Sequence, residues 1–220
     1  MMTNNNALLK ARLEEKKARF LNNSDENKKR AYREGIELVE SSGITRTAKQ
    51  VGDQAPDFTL NNALGKPVSL GDYLKKGNVV LTWYRGGWCP YCNFTLQELQ
   101  NELPNFTTDG ANLIALTPEL PDQSITTAEK NNLKFEVLSD LGNKIAKEYG
   151  IVFQLNEEVA GMYNEGFQLN EHNGDKSNEL PLAATYVINQ NGKIIYSFLD
   201  ADYRNRKEPS EITAFLKEKN

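Results

Sequence analysis

Cysteine and histidine are the scarce residues here: the 220 residues hold two cysteines, Cys89 and Cys92, and one histidine, His172. A structural zinc site takes about four ligands. With so few nitrogen and sulfur donors, carboxylates would have to complete it, so no metal or other cofactor is expected. Two cysteines make at most one disulfide, and a Cys89–Cys92 bridge closes so small a loop that it gains little loop entropy. No apolar run approaches the roughly 18 residues of a membrane-spanning helix, which excludes a membrane role. The start, MMTNNNALLKARLEEKK, has no apolar signal core and carries acidic residues early, so no secretory signal is expected. The expected compartment is the cytoplasm, where a Cys-x-x-Cys is catalytic more often than structural. Lys and Arg total 26 against 30 Asp and Glu, and no basic stripe is sustained, which argues against nucleic acid. There is no internal repeat, and the one low-complexity tract is Asn4-Asn5-Asn6.

What is present concentrates in Trp83–Asn93, WYRGGWCPYCN. An apolar, strand-like run, Val79–Tyr84, leads into it, and Phe94, Leu96 and Leu99 after it read as one face of a helix. A Cys-x-x-Cys between a strand and a helix is the signature of a redox site. The first cysteine then sits at a helix N-terminus, where free backbone N–H groups and the helix dipole favour the thiolate. Half of a zinc site, a structural disulfide and two ordinary buried thiols are the competing readings. The zinc site has only His172 and carboxylates to complete it, the disulfide gains little and ordinary buried thiols need no particular spacing, so redox chemistry is preferred.

Residues 1–47 are charged and helix-patterned, and 48–220 form the expected main domain. Leu9, Leu13 and Phe20 fall at helical spacing, and Tyr32, Ile36 and Val39 form a second stripe. Ser24 is the predicted N-cap between them and Gly43 the predicted stop. The arm is read either as a docking or dimerisation element or as helices packed on their own domain, and the second is preferred. From Val51 the texture alternates. Strands are predicted at 58–60, 67–70, 79–84, 113–117, 135–138, 185–188 and 194–198. Helices are predicted at 93–102, 124–131, 142–149 and 208–218. This interleaving predicts an α/β fold with a central mixed sheet flanked by helices. Asn189–Gly192 reads as a hairpin turn. Residues 153–180 read as a polar insertion without a clear period.

From Val51 the chain resembles the peroxiredoxin family of alkyl hydroperoxide reductases and thiol-specific antioxidants, within the thioredoxin-like fold. The likeness lies in VGDQAPDFTLNNALGKPVSL, in the strand feeding the cysteine, and in LSDLGNKIAKEYG and TYVINQNGKI. It covers roughly residues 50–200 and is nearest the branch that carries a Cys-x-x-Cys and a charged helical leader. It implies a peroxide or disulfide substrate, and a thioredoxin-, glutaredoxin- or glutathione-type reductant, with a homodimer as one possible assembly. Three family residues are missing, two of them groups that would bind and polarise the peroxide. The hydroxyl residue three before the reactive cysteine is Gly86, and the proline four before that is Thr82. The second arginine, expected before the Tyr186 strand, is Ala183. Thioredoxins place a cis-proline there; here either Pro181 serves or that proline is absent.

The resemblance makes Cys89 the nucleophile and Cys92 the resolving thiol. Arg85, four residues before Cys89, is the candidate source of positive charge. Trp88 precedes Cys89 as in thioredoxins, and Pro90-Tyr91 resembles the glutaredoxin pair. Thr117, at the end of a predicted strand, is the candidate neighbour of the thiols. His172 is expected at the surface, as are Tyr203, Arg204 and Arg206. The principal reading is a thiol peroxidase with an intramolecular disulfide. The alternatives are a thiol–disulfide oxidoreductase without peroxidase activity and a redox-sensing module whose helical arm responds to the disulfide.

Overall fold

The computed structural model describes residues 8–62 and 64–219; Asn4–Asn6 lie outside them. Helix α1 (Leu8–Asn23), α2 (Glu26–Ser41) and the short α3 (Ile44–Thr47) come first. Then follow β1 (Thr59–Asn61), β2 (Pro67–Ser69), α4 (Leu70–Leu74), β3 (Asn78–Trp83), α5 (Pro90–Thr108), β4 (Ala111–Thr117), α6 (Pro121–Lys130) and β5 (Glu136–Ser139). A 3-10 turn leads into α7 (Lys144–Glu148), β6 (Val152–Gln154), α8 (Glu157–Phe167), α9 (Leu169–Asn173) and β7 (Glu179–Pro181). The chain closes with β8 (Thr185–Ile188), β9 (Ile194–Phe198) and α10 (Pro209–Lys219).

The central sheet has the order β5-β4-β3-β8-β9. Strands β3, β4 and β5 run parallel, while β8 and β9 are antiparallel to their neighbours. The fold is therefore the expected mixed-sheet α/β, thioredoxin-like arrangement. Successive residues of a strand point to opposite faces, and β3 shows the result. Val79, Leu81 and Trp83 pack with Leu70, Leu74 and Tyr149 on one face. Val80 packs with Leu99 and Phe106 of α5 and with Ile212 and Leu216 of α10 on the other. The hairpin between β8 and β9 turns at Asn189–Gly192, with Gly192 at φ 76°.

Several local expectations shift. The N-cap of α2 is Asp25, one residue after Ser24: its carboxylate accepts the Lys28 N–H at 2.9 Å. Helix α5 continues through Pro104 to Thr108, past the expected end at 102. Pro104 removes one backbone hydrogen bond, but Phe106 beyond it is fully buried against α10, and that packing carries the helix on. Segment 153–180 is not an irregular insertion: it holds α8 and α9 between two paired strands. Asn156 caps α8 by accepting the Val159 N–H at 2.8 Å, and the short stripe Val159, Ala160 and Tyr163 is buried. The polar majority around that stripe hides its period.

The leading helices lie on the rest of the chain. Leu9 and Leu13 are buried with Cys89, Tyr91, Cys92 and Leu96. Arg12 donates to Glu98 at 2.7 Å and to Gln97 at 2.6 Å. Tyr32 packs with Tyr163 of α8.

Candidate active site

Strand β3 ends at Trp83 and the chain turns through Arg85–Trp88 before α5 begins. Cys89 is the N-cap of α5, in extended conformation, and Pro90 is its first residue, where a missing N–H costs nothing. The turn is tied on every side. The Cys89 N–H donates to the Gly86 carbonyl at 3.1 Å. Asn93 Nδ2 donates to the Gly87 carbonyl at 2.7 Å and to the Cys89 carbonyl at 3.1 Å. The Gly87 N–H donates to Glu119 Oε2 at 2.9 Å, and Glu119 Oε1 meets His172 Nδ1 at 3.0 Å. An amide chain runs outward from there: Asn131 Nδ2 donates to Asn93 Oδ1, Gln97 Nε2 to Asn131 Oδ1, and Arg12 of α1 to Gln97 Oε1. The redox turn is thus coupled by hydrogen bonds to the first helix.

Both thiols are free and buried, with exposures of 2% for Cys89 and 1% for Cys92. They face different surroundings. Cys89 lines a cavity of about 390 Å³ whose walls include Tyr32, Trp88, Tyr163 and Tyr203. Cys92 lies behind it, with Arg206 Nη2 at 3.6 Å from its sulfur. Arg206 is itself held by the carbonyls of Tyr203 and Asn205. Burial pushes the Cys89 thiol well up, and its hydrogen bond to Cys92 adds to that. For Cys92 burial also disfavours charge, but the Cys89 hydrogen bond and the Arg206 and Arg85 charges outweigh it and bring the thiol down. Both shifts point the same way: the proton between the sulfurs is favoured on Cys89 and negative charge on Cys92, the reverse of the Cys89 thiolate expected from its place at the helix start.

Arg85 is 1% exposed and caged by rings. Its guanidinium carbon lies 3.9 Å from the Tyr203 centroid, 5.0 Å from Tyr163 and 5.1 Å from Trp88. Burial pushes the Tyr203 phenol well up, so near neutral pH this ring is an uncharged face for the cation. Nε and Nη1 of Arg85 have no hydrogen-bond partner. Trp88 stacks on Phe167, with centroids 5.2 Å apart.

The remaining expected residues are placed as follows. A Cβ on Gly86 would lie 2.1 Å from Trp88 Nε1, so the indole occupies the space a hydroxyl side chain would need. Thr117 is buried at the end of β4; its hydroxyl accepts the Glu119 N–H at 3.4 Å and its carbonyl accepts the Asp140 N–H at 2.7 Å. It shapes the turn that brings Glu119 in. Ala183 is buried, and no peptide bond among the described residues is cis, so Pro181 is trans. His172 departs from the surface expectation: it is half-buried against Glu119, which is itself fully buried. Arg206 and Tyr203 depart from it too, since they form part of the thiol surroundings. Glu119, Asn93, Asn131, Tyr163 and Phe167 escaped the sequence reading. Only Asn93 carried a local signal, by following the motif directly. Among the described residues no three His, Cys, Asp or Glu side chains come together for a metal ion, and no helix is long and apolar enough to cross a membrane.

Comparison with known proteins agrees with this geometry. Rv2521 of Mycobacterium tuberculosis, which carries a peroxiredoxin name, is 28% identical over 153 residues, covering 69% of this chain and 87% of that protein. The chloroplastic peroxiredoxin Q of Arabidopsis thaliana is 30% identical over 166 residues, 76% of this chain and 66% of that protein. The thiol–disulfide oxidoreductase ResA of Bacillus anthracis is 29% identical over 118 residues, 53% and 67% respectively. The crystal structure of peroxidoxin BcpB from Mycobacterium tuberculosis shares the fold, with TM-score 0.62 at 19% identity, over 78% of this chain and 98% of that one. The AhpC/TSA family model matches residues 51–197. With the Cys-x-x-Cys helix start inside that stretch, this chain is a member of the AhpC/TSA family and a thiol-dependent oxidoreductase of the peroxiredoxin kind.

Proposed function

We propose that the protein reduces peroxides at Cys89 and resolves the product with Cys92. The reading rests on one arrangement: Cys89 lines a cavity beside a buried guanidinium with two open donors, and Cys92 sits against Arg206. In the first step the shared proton passes from Cys89 to Cys92. The Cys89 thiolate attacks the terminal peroxide oxygen and the O–O bond breaks. The leaving alkoxide takes the proton from Cys92 and departs as the alcohol. Cys92, again a thiolate, attacks the Cys89 sulfur. Hydroxide leaves, takes a proton from solvent, and the Cys89–Cys92 disulfide remains. A thiol reductant of the thioredoxin, glutaredoxin or glutathione type returns it to the dithiol.

Arg85 is the proposed polarising cation for the O–O bond. It acts without the usual hydroxyl and second arginine, whose positions hold Gly86 and Ala183. Each lost donor to a developing oxyanion costs on the order of 10²-fold, so the rate should fall below that of relatives with the full set. We assign residues 1–47 as an extension, whose described helices from Leu8 onward cover the site of their own chain, and 48–220 as the catalytic domain. The burial of Leu9 and Leu13 beside the thiols supports this over a dimer contact. The proposed setting is the cytoplasm, where thiol reductants are at hand.

Stopped-flow mixing of the reduced protein with hydrogen peroxide tests the proposal. Rapid oxidation ending in the Cys89–Cys92 disulfide is expected. Slow oxidation with rapid reduction of a disulfide substrate would overturn it in favour of a thiol–disulfide oxidoreductase, a reading the ResA similarity supports.

A further inference from the structure

We propose that Glu119 is the positioning residue of the redox turn: braced by His172, its carboxylate holds Gly87 and so keeps Arg85 set against the two thiols. The inference concerns the thiol pair itself and applies whether a peroxide or a disulfide reacts with it. The middle of the turn is Gly86-Gly87, and glycine has the most backbone freedom to lose on ordering. A Cβ on Gly87 would lie 2.0 Å from Thr127 Oγ1, so no side chain at that position could steady the turn. Its shape depends on bonds to its backbone.

Those bonds are few. The Cys89 N–H stays within the turn, on the Gly86 carbonyl, and the Gly87 carbonyl accepts from Asn93 of α5. The Gly87 N–H, on Glu119 Oε2 at 2.9 Å, is the tie to a segment outside the turn and α5. Glu119 follows β4 and is fully buried. Its other oxygen, Oε1, meets His172 Nδ1 at 3.0 Å. The neighbouring Leu120 N–H donates to the His172 carbonyl at 2.8 Å. Leu120 also packs on Gly174, where a Cβ would lie 2.8 Å from Leu120 Cδ2. Glu119 is thus held against α9 by its own side chain and by its neighbour. Its salt-bridge partner among the described residues is His172, not a Lys or Arg. Burying a carboxylate is costly, and here both oxygens serve position.

The turn carries two groups that act on the sulfurs. The Arg85 N–H donates to the Cys92 sulfur, and a hydrogen bond to the charged form favours a thiolate. The Arg85 guanidinium sits in its cage of rings, 3.9 Å from the Tyr203 centroid. Slack at Gly87, two residues on, would let both drift.

Two variants separate position from bulk. Glu119→Gln keeps an acceptor for the Gly87 N–H in nearly the same shape, whereas Glu119→Met keeps the volume and removes the acceptor. The readouts are the ultraviolet thiolate absorbance of the reduced full-length protein across pH and its rate of alkylation by iodoacetamide. Neither uses a peroxide, so the outcome is independent of the peroxidase reading. Glu119→Met should hold about 10-fold less thiolate near neutral pH, the worth of one charge-assisted hydrogen bond, and alkylate correspondingly more slowly. Glu119→Gln should recover most of that loss. A Glu119 that only fills space would change the melting temperature and leave the thiolate alone. A folded Glu119→Met with wild-type titration and alkylation would therefore overturn the proposal, as would a Glu119→Gln that loses as much as Glu119→Met. Should Glu119→Met not fold, His172→Phe decides, because it removes the brace and leaves Glu119 in place. Less thiolate is expected there too, and a wild-type titration would overturn the proposal.

Discussion

The sheet and the cavity wall are built from opposite materials. Strands β3, β4 and β8 bury mostly apolar side chains and pair their backbones in the sheet ladder. The wall in front of Cys89 comes from α1, α2, α8 and the segment after β9, and it mixes rings with cations. The sheet tolerates little variation in volume, since a close-packed interior feels each methylene. It places two sulfurs at a helix start and does little else to them. The wall sets their charge and decides which molecule arrives. Even the two sulfurs, three residues apart, divide this way: Cys89 looks toward the rings and Cys92 toward Arg206.

The largest test of this division is at the thiols. Cys89→Ser should abolish peroxide consumption, while Cys92→Ser should still consume one equivalent and accumulate a sulfenic acid that dimedone traps. Dimedone labelling of Cys92 in the Cys89→Ser variant would reverse the roles. Arg85→Met comes next. It should lower the peroxide rate constant by about 10²-fold. Because a buried guanidinium with two unbonded donors is replaced by an apolar chain of similar length that can still pack on the rings, thermal stability should hold or rise. A melting temperature that collapses would mean that the guanidinium is structural.

Gly86→Thr sharpens the boundary between turn and wall. In sequence terms it restores the family hydroxyl. In the structure its Cβ would collide with Trp88 Nε1, so Trp88 must leave its stack on Phe167. We expect a loss of about 1–3 kcal/mol in chemical denaturation, typical of overpacking, and no gain in rate. A faster enzyme would show that the indole moves aside freely.

The smallest effect is expected from Arg206→Met. Cys92 loses a donor and a nearby charge, so the thiolate absorbance of the reduced protein should disappear at higher pH than in the wild type. Resolution of the sulfenic acid should slow by about 10-fold, the worth of one charge-assisted hydrogen bond of about 1.4 kcal/mol. The sign of the linkage follows from the lowered folded pKa. The stability that Cys92 contributes is complete above the ordinary thiol pKa of about 8.5 and is lost as pH falls through the folded value. An unchanged titration would remove Arg206 from the site.

The legible part of the molecule was the part with short-range rules. Residues 79–84 alternate faces in a strand, Cys89 precedes Pro90 at a helix start, and Asn189–Gly192 makes a turn, so each could be read where it stands. Helix α8 was not legible, because Val159, Ala160 and Tyr163 are too few against polar neighbours for a period to show. Arg206 looked like a surface residue, since nothing in Tyr203–Arg206 refers to a cysteine 114 residues earlier.

The sequence by itself determined the fold class, the redox pair and its place between strand and helix, because backbone preference and hydrophobic period act over a few residues. Only the tertiary structure decided which sulfur faces Arg206, that Gly86 has no room for a hydroxyl, and that Arg85 sits in a cage of rings. Those depend on burial and on charges from distant segments, and electrostatic interaction is strong only where the folded chain has excluded water.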